Sequence, residues 1–106
     1  MDLSRIAQLR GAAVPPARHI IDGERRDASD GGRMPTLSPL DGEELTTLAR
    51  GTRDDAEAAV AAARRAFDDG RWQNLAPAAR KAVMLKWAEL IEAEALDLAV
   101  LGVRRR

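Results

Sequence analysis

His19, together with the carboxylates Asp54, Asp55, Glu57, Asp68 and Asp69, makes up the set of side chains in this 106-residue chain whose types and clustering suit proton transfer. General acid–base chemistry would need the imidazole or a raised carboxyl within hydrogen-bond reach of a substrate, and a nucleophile would have to stand beside the base. His19 lies next to Ile20 and Ile21, where a half-exposed structural histidine is the plainer reading, and no nucleophile partners it in the sequence. The carboxylates fall at the ends or on the solvated face of a helical stretch, where they serve a helix terminus more simply than a paired acid and base. There is no cysteine, which excludes thiolate nucleophiles, thiolate metal sites and disulfides together. The eight glycines form neither G-x-G-x-x-G nor G-x-x-x-x-G-K, so no phosphate-cradling loop is written here. Arg104, Arg105 and Arg106 could contact phosphate, but three terminal arginines without interleaved aromatics read as a frayed, solvated tail rather than a nucleic-acid site. Trp72 and Trp87, with Phe67, read as packing anchors rather than a ligand cage. No catalytic, cofactor-binding or metal-ligating residue is therefore assigned.

The elements that would position such groups separate by pattern into four stretches. Leu3, Ile6, Ala7 and Leu9 suggest a short helix ended by Gly11 and Pro15-Pro16. From Arg18 to Arg50, short apolar runs broken by Asp22-Gly23, Gly31-Gly32, Pro39 and Asp41-Gly42 are the signature of strands joined by tight turns. One hairpin pairs His19 to Ile21 with Glu24 to Arg26, and a second pairs Met34 to Ser38 with Leu45 to Arg50. From Thr52 the period becomes helical. Thr52 with Asp55 resembles a capping box, the apolar face runs Ala56, Ala59, Val60, Ala63 and Phe67, and Gly70 stands where a helix ends. Alanine at 58, 59, 61, 62 and 63 suits close approach to a neighbour and equally suits plain helix propensity. Pro77 opens a second helix through Val83, Trp87, Leu90 and Ile91, and Leu96, Ala99, Val100 and Val103 suggest a third beyond a bend near Ala93 to Ala95. The fold class is an α+β fragment: a short N-terminal helix, two β-hairpins, then two to three α-helices.

Length allows one small domain that buries roughly 60 to 70% of its unfolded surface. Basic and acidic residues number 17 each, so no net field draws the chain to nucleic acid or acidic lipid. No apolar run has the length of a signal peptide or a membrane span, which makes the cytoplasm the default location. The acid-poor stretch from Arg5 to Arg18 is the one feature of an organelle-targeting segment, and Asp2 argues against it.

The order of segments carries a resemblance. Ile20-Ile21-Asp22-Gly23-Glu24-Arg25 matches an F-I-N-G-E-W hairpin, and Ser38-Pro39-Leu40-Asp41-Gly42-Glu43 matches N-P-x-x-G-E. Then follow Ala49-Arg50-Gly51-Thr52, the D-A-E-x-A-V-x-A-A-R-x-A-F pattern of Asp55 to Phe67, Gly70-Arg71-Trp72, Leu75-Ala76-Pro77 with Arg80-Lys81, and Trp87-Ala88-Glu89-Leu90-Ile91-Glu92. In register, from about Arg18 to Leu101, this set resembles the amino-terminal part of the NAD(P)-dependent aldehyde dehydrogenase superfamily, closest to the branch acting on amino- or guanidino-substituted butyraldehydes. Arg25 and Ser38 depart from that pattern at hairpin positions. The resemblance implies an N-terminal arm at 1–17, a partial cofactor-domain segment at 18–101 and a divergent basic end at 102–106, as if the reading frame closed early. It implies NAD or NADP as cofactor of the full-length family, and a catalytic cysteine, a glutamate base, an oxyanion-hole asparagine and a nucleotide-binding turn that no position here matches. Two functions follow as expectations: a fragment inactive by itself, without a cofactor of its own, or an interaction module that self-associates or docks on a full-length relative. The helices are expected to persist and the hairpins to fluctuate, because two-stranded ribbons are marginal alone.

Overall fold

The computed structural model describes residues 2–104. The chain runs α1 (Leu3–Gly11), β1 (His19–Ile21), β2 (Glu24–Arg26), β3 (Arg33–Leu37), β4 (Glu44–Ala49), α2 (Arg53–Asp68), α3 (Pro77–Ala93) and α4 (Ala95–Arg104). Each pair of consecutive strands is antiparallel, β1 with β2 and β3 with β4, giving two separate ribbons. This is the α+β arrangement expected, with three helices after the hairpins.

The first hairpin has the expected limits, His19 opposite Arg26 and Ile21 opposite Glu24. Its turn forces positive φ on both Asp22 (55°) and Gly23 (74°), the conformation for which the Asp-Gly pair is suited. The second hairpin begins and ends one residue earlier on both strands than the sequence pattern suggested. Its register shifts between Thr36 and Leu37, and an Asx-type turn, Glu43 N–H donating to Asp41 Oδ1 at 3.0 Å, closes the loop ahead of Glu44. The two ribbons are stitched by Ala17, two residues before β1. Ala17 N–H donates to the Thr47 carbonyl and Ala49 N–H donates to the Ala17 carbonyl, both at 2.9 Å. Arg33 locks the stitch, its guanidinium donating to Thr47 Oγ1 (2.7 Å) and to the carbonyls of Ala17 (2.8 Å) and Thr47 (3.1 Å).

Helix boundaries follow their local chemistry. Asp2 caps α1 by accepting from Arg5 N–H. The capping box of α2 is complete in both directions, and Gly70, at φ 71°, takes the left-handed position just past its end. Pro77 stands in the first turn of α3, and Glu94 breaks the chain direction between α3 and α4. One expectation needs correction. Arg104 is not a solvated tail residue: it is the last residue of α4, and its Nη1 donates to the Leu9 (2.8 Å) and Ala12 (2.9 Å) carbonyls. The cause is the C-terminus of α1, whose last carbonyls lack helical partners and are satisfied by the guanidinium. Arg5 and Asp97 pair at 3.2 Å at the other end of the same contact, so α1 and α4 run side by side in the same direction. Arg105 and Arg106 lie outside the described residues.

Little is buried. Among the described residues the hydrophobic core consists of Ile21, Ala28 and Ala62, and no residue of α3 is buried. Trp87 is 59% exposed, and Trp72 is exposed too, so neither tryptophan anchors packing within this chain. The shape explains why: the extents are 46 × 39 × 17 Å and the radius of gyration is 17.6 Å, against roughly 13 Å for a compact chain of this length. The exposed area of 8230 Å² leaves only about half of the unfolded surface buried, less than the roughly 60 to 70% that length alone suggested. The molecule is a plate.

Candidate functional site

The densest set of polar groups in the plate gathers where β1, the β2–β3 connection and the first turn of α2 meet. Its centre is Asp55. The carboxylate accepts from Thr52 N–H (2.9 Å), from the Thr52 hydroxyl (3.1 Å), and from Ser29 N–H through both oxygens (3.1 and 3.2 Å). Thr52 Oγ1 in turn accepts from Asp55 N–H and lies 2.6 Å from Ser29 Oγ. Because the Thr52 hydroxyl proton is directed at Asp55, the Ser29 hydroxyl is the donor in that short contact. His19 closes the group with Nε2 3.5 Å from Asp55 Oδ2, but this buried nitrogen has no hydrogen-bond partner.

These are the residue types of a hydrolytic triad in an arrangement that cannot work as one. A triad requires the histidine between the hydroxyl and the carboxylate, so that the imidazole takes the hydroxyl proton and the acid orients the imidazole. Here the carboxylate sits in the middle, the Ser29 proton points to Thr52, and the imidazole meets Asp55 alone. The chemistry of the cluster is retention of position. The Thr52 backbone N–H, opposed by partial burial and aided by the Ser29 N–H, the Thr52 hydroxyl and the neighbouring His19, holds the Asp55 carboxyl below its ordinary range. Asp55 therefore stays ionised and cannot serve as a proton donor near neutral pH.

The surrounding contacts give the same result on a larger scale. Asp22, at the hairpin turn, approaches Arg65 of α2 at 3.6 Å, so β1 is held to α2 at its base by Asp55 and at its tip by Arg65. Between them Ile21 and Ala62, both buried, line one groove. Ala59 and Ala63 share that groove, which gives the small residues of α2 a packing role beside their helix propensity. Of the sequence candidates, the structure unites His19 with Asp55. Asp54 and Glu57 lie on the exposed face of α2. Past its C-terminus Asp69 accepts from Arg71 N–H and from its guanidinium, and these bonds hold the Asp69 carboxyl below its ordinary range. Sequence reading identified the Thr52–Asp55 box but missed Ser29, because its donation to Asp55 spans 26 residues and has no local signal. No helix among the described residues is long and apolar enough to cross a membrane.

The chain matches the Aldehyde dehydrogenase family over residues 26–105. It is similar to an aminoacetaldehyde dehydrogenase of Pseudomonas aeruginosa, 48% identical over 86 residues, a match that covers 81% of this chain and 17% of the relative. Among solved structures it is similar to a gamma-glutamyl-gamma-aminobutyraldehyde dehydrogenase from Burkholderia cenocepacia, with a TM-score of 0.90 and 40% identity over 98% of this chain and 21% of that one. An indole-3-acetaldehyde dehydrogenase in complex with NAD+ matches with a TM-score of 0.88 and 39% identity, over 95% of this chain and 20% of that one. The chain thus spans about a fifth or less of the length of the enzymes it matches.

Proposed function

Because the chain belongs to the aldehyde dehydrogenase family, we propose that it is a scaffold portion of an NAD(P)-dependent enzyme that oxidises aldehydes to carboxylic acids in the cytoplasm. The observation that carries this reading is a match of 48% identity over most of the chain in a sequence that has no cysteine. Thiolate attack on the carbonyl, which the family resemblance implies, needs a residue this sequence does not contain. The names of the similar enzymes favour an amino- or amido-substituted aldehyde as the substrate of the whole enzyme.

The residues present do not by themselves fit a dinucleotide. Gly23 and Gly42 serve hairpin loops and Gly70 ends a helix, so none of them opens a helix toward a phosphate. At the start of α2 the Thr52 amide already donates to the Asp55 carboxylate and the Asp55 amide to Thr52 Oγ1, and that carboxylate would repel a pyrophosphate. What these residues do is hold the first hairpin, the β2–β3 connection and α2 in fixed register.

Two measurements test the reading. The purified chain with NAD or NADP and a panel of aminoaldehydes is expected to give no reduced nicotinamide, and turnover above a boiled control overturns it. A chimera in which residues 18–101 replace the matching segment of the Pseudomonas aeruginosa relative is expected to keep turnover within about an order of magnitude, since the chemical groups lie elsewhere. A soluble, folded but inactive chimera would show that the segment is not an equivalent scaffold.

A second reading, a non-catalytic interaction module, is favoured by one observation. A compact monomer of 11.5 kDa exposes roughly 5800 Å², whereas this chain exposes 8230 Å². The surplus is apolar in large part, with Val83, Met84, Leu85, Trp87, Leu90 and Ile91 of α3 all exposed.

A further inference from the structure

The face of α2 turned away from β1 has a charge order that reverses through its own centre. Four charged side chains lie along it, Arg53, Glu57, Arg64 and Asp68, and between them Val60 and Ala61 mark the midpoint. Arg53 and Asp68 are equally far from that midpoint, and so are Glu57 and Arg64. In both cases the two members carry opposite charge. Within one chain they form only local pairs, Arg53 with Glu57 at 3.0 Å and Arg64 with Asp68 at 3.9 Å, on side chains that are all well exposed. At helical spacing these positions fall on one stripe, opposite the stripe that contains buried Ala62. Between the charges lies a shallow, mainly apolar groove of 480 Å³ lined by Arg53, Ala56, Glu57, Val60, Ala61 and Arg64. Val60 is among the most exposed large apolar side chains of the chain.

We propose that this face is a self-complementary docking surface whose occupant is the α2 helix of a second copy of this chain, lying antiparallel across Val60 and Ala61. A two-fold axis through the midpoint sets Glu57 of each copy opposite Arg64 of the other, and Arg53 opposite Asp68. All four contacts across the interface are then attractive, and an isologous interface requires such self-complementarity. The small residues Ala56 and Ala61 allow the two helices to approach closely, and Val60 fills the space between them. The inference rests on the interaction-module reading and specifies its partner.

Charge exchange on the full 106-residue chain tests it, with the oligomeric state read by sedimentation over a concentration series. The unaltered chain is expected to dimerise. Glu57→Arg sets arginine against Arg64 of the other copy at two symmetry-related places, and Arg64→Glu sets glutamate against Glu57 in the same way. Each variant alone is expected to dimerise at least about tenfold more weakly. An equimolar mixture of the two variants restores opposite charges at both places and is expected to recover the affinity as a mixed dimer. Recovery on mixing excludes misfolding of either variant as the cause of its loss. A dimer that neither exchange weakens would overturn the α2 interface but leave the interaction-module reading in place. A chain that stays monomeric at every concentration overturns both.

Discussion

Replacing Ile21 with alanine is expected to destabilise the chain by about 2 to 4 kcal/mol, a large part of the roughly 5 to 15 kcal/mol available to a domain of this size. Ile21 is 7% exposed and is the one large side chain in the hydrophobic core, whose other members are Ala28 and Ala62. Alanines on α2 cannot move in to fill the space, so the loss includes both transfer of the side chain and the cavity that remains. Ile20 provides the internal control. It is the next residue on the same strand, its side chain points to the other face, and it is 74% exposed. Ile20→Ala is expected to change stability by about 0.5 kcal/mol or less. Urea unfolding followed by circular dichroism compares the two. Equal effects would mean that the first hairpin does not pack on α2 in solution.

The second large effect is expected at Asp55. An asparagine there keeps the shape but turns one acceptor oxygen into a donor, which then faces N–H groups of Ser29 and Thr52 that have no other acceptor in the cluster. Amide exchange at both positions should accelerate strongly, along with that of β1, while Asp54→Asn on the exposed face should leave them unchanged. Acid provides an independent test. The Asp55 carboxyl is held below its ordinary range in the folded chain, so the folded state binds the proton less readily than the unfolded one. Its contribution is complete above the unfolded pKa of about 3.9 and is lost only as the pH falls through the lower, folded value. Protection of Ser29 should survive the pH range in which unperturbed carboxylates titrate and collapse below it. Protection that is the same in Asp55→Asn would show that the cluster is not what holds the hairpin.

The legible parts of this fold were local. Asp22-Gly23 determined the first hairpin to the residue, since its turn geometry leaves little choice of register. Thr52 with Asp55, Gly70 and Pro77 marked helix ends, because capping uses side chains within three or four positions of the terminus. Neither the one-residue offset at the ends of the second hairpin nor the bulge at Thr36 and Leu37 is recorded by the alternation of apolar residues. Wholly illegible were the contacts across long separations. Arg104 reaching Leu9 and Arg5 reaching Asp97 join residues more than 90 positions apart, and a terminal arginine reads the same whether it is solvated or caps a helix. The cluster was half legible: the capping box could be read, but the arrival of Ser29 and His19 depended on how the hairpins fold over α2. The burial expected from length was too high for a related reason. Amphipathic spacing shows that a face is apolar, and does not show that this chain supplies the surface that covers it.

The plate form also determines how the molecule responds to heat. Sensitivity to denaturant and the heat-capacity change of unfolding both scale with newly exposed surface, and a body 17 Å thick has little left to expose. Its heat capacity should rise on melting by less than the roughly 1.2 to 1.5 kcal/mol/K usual for a chain of about 100 residues. The stability curve is correspondingly flat and the transition broad, with helical signal fading gradually over a wide span of temperature. A surface that covers α3 would sharpen that transition, and the steepness of melting therefore reports how much of the plate has been covered.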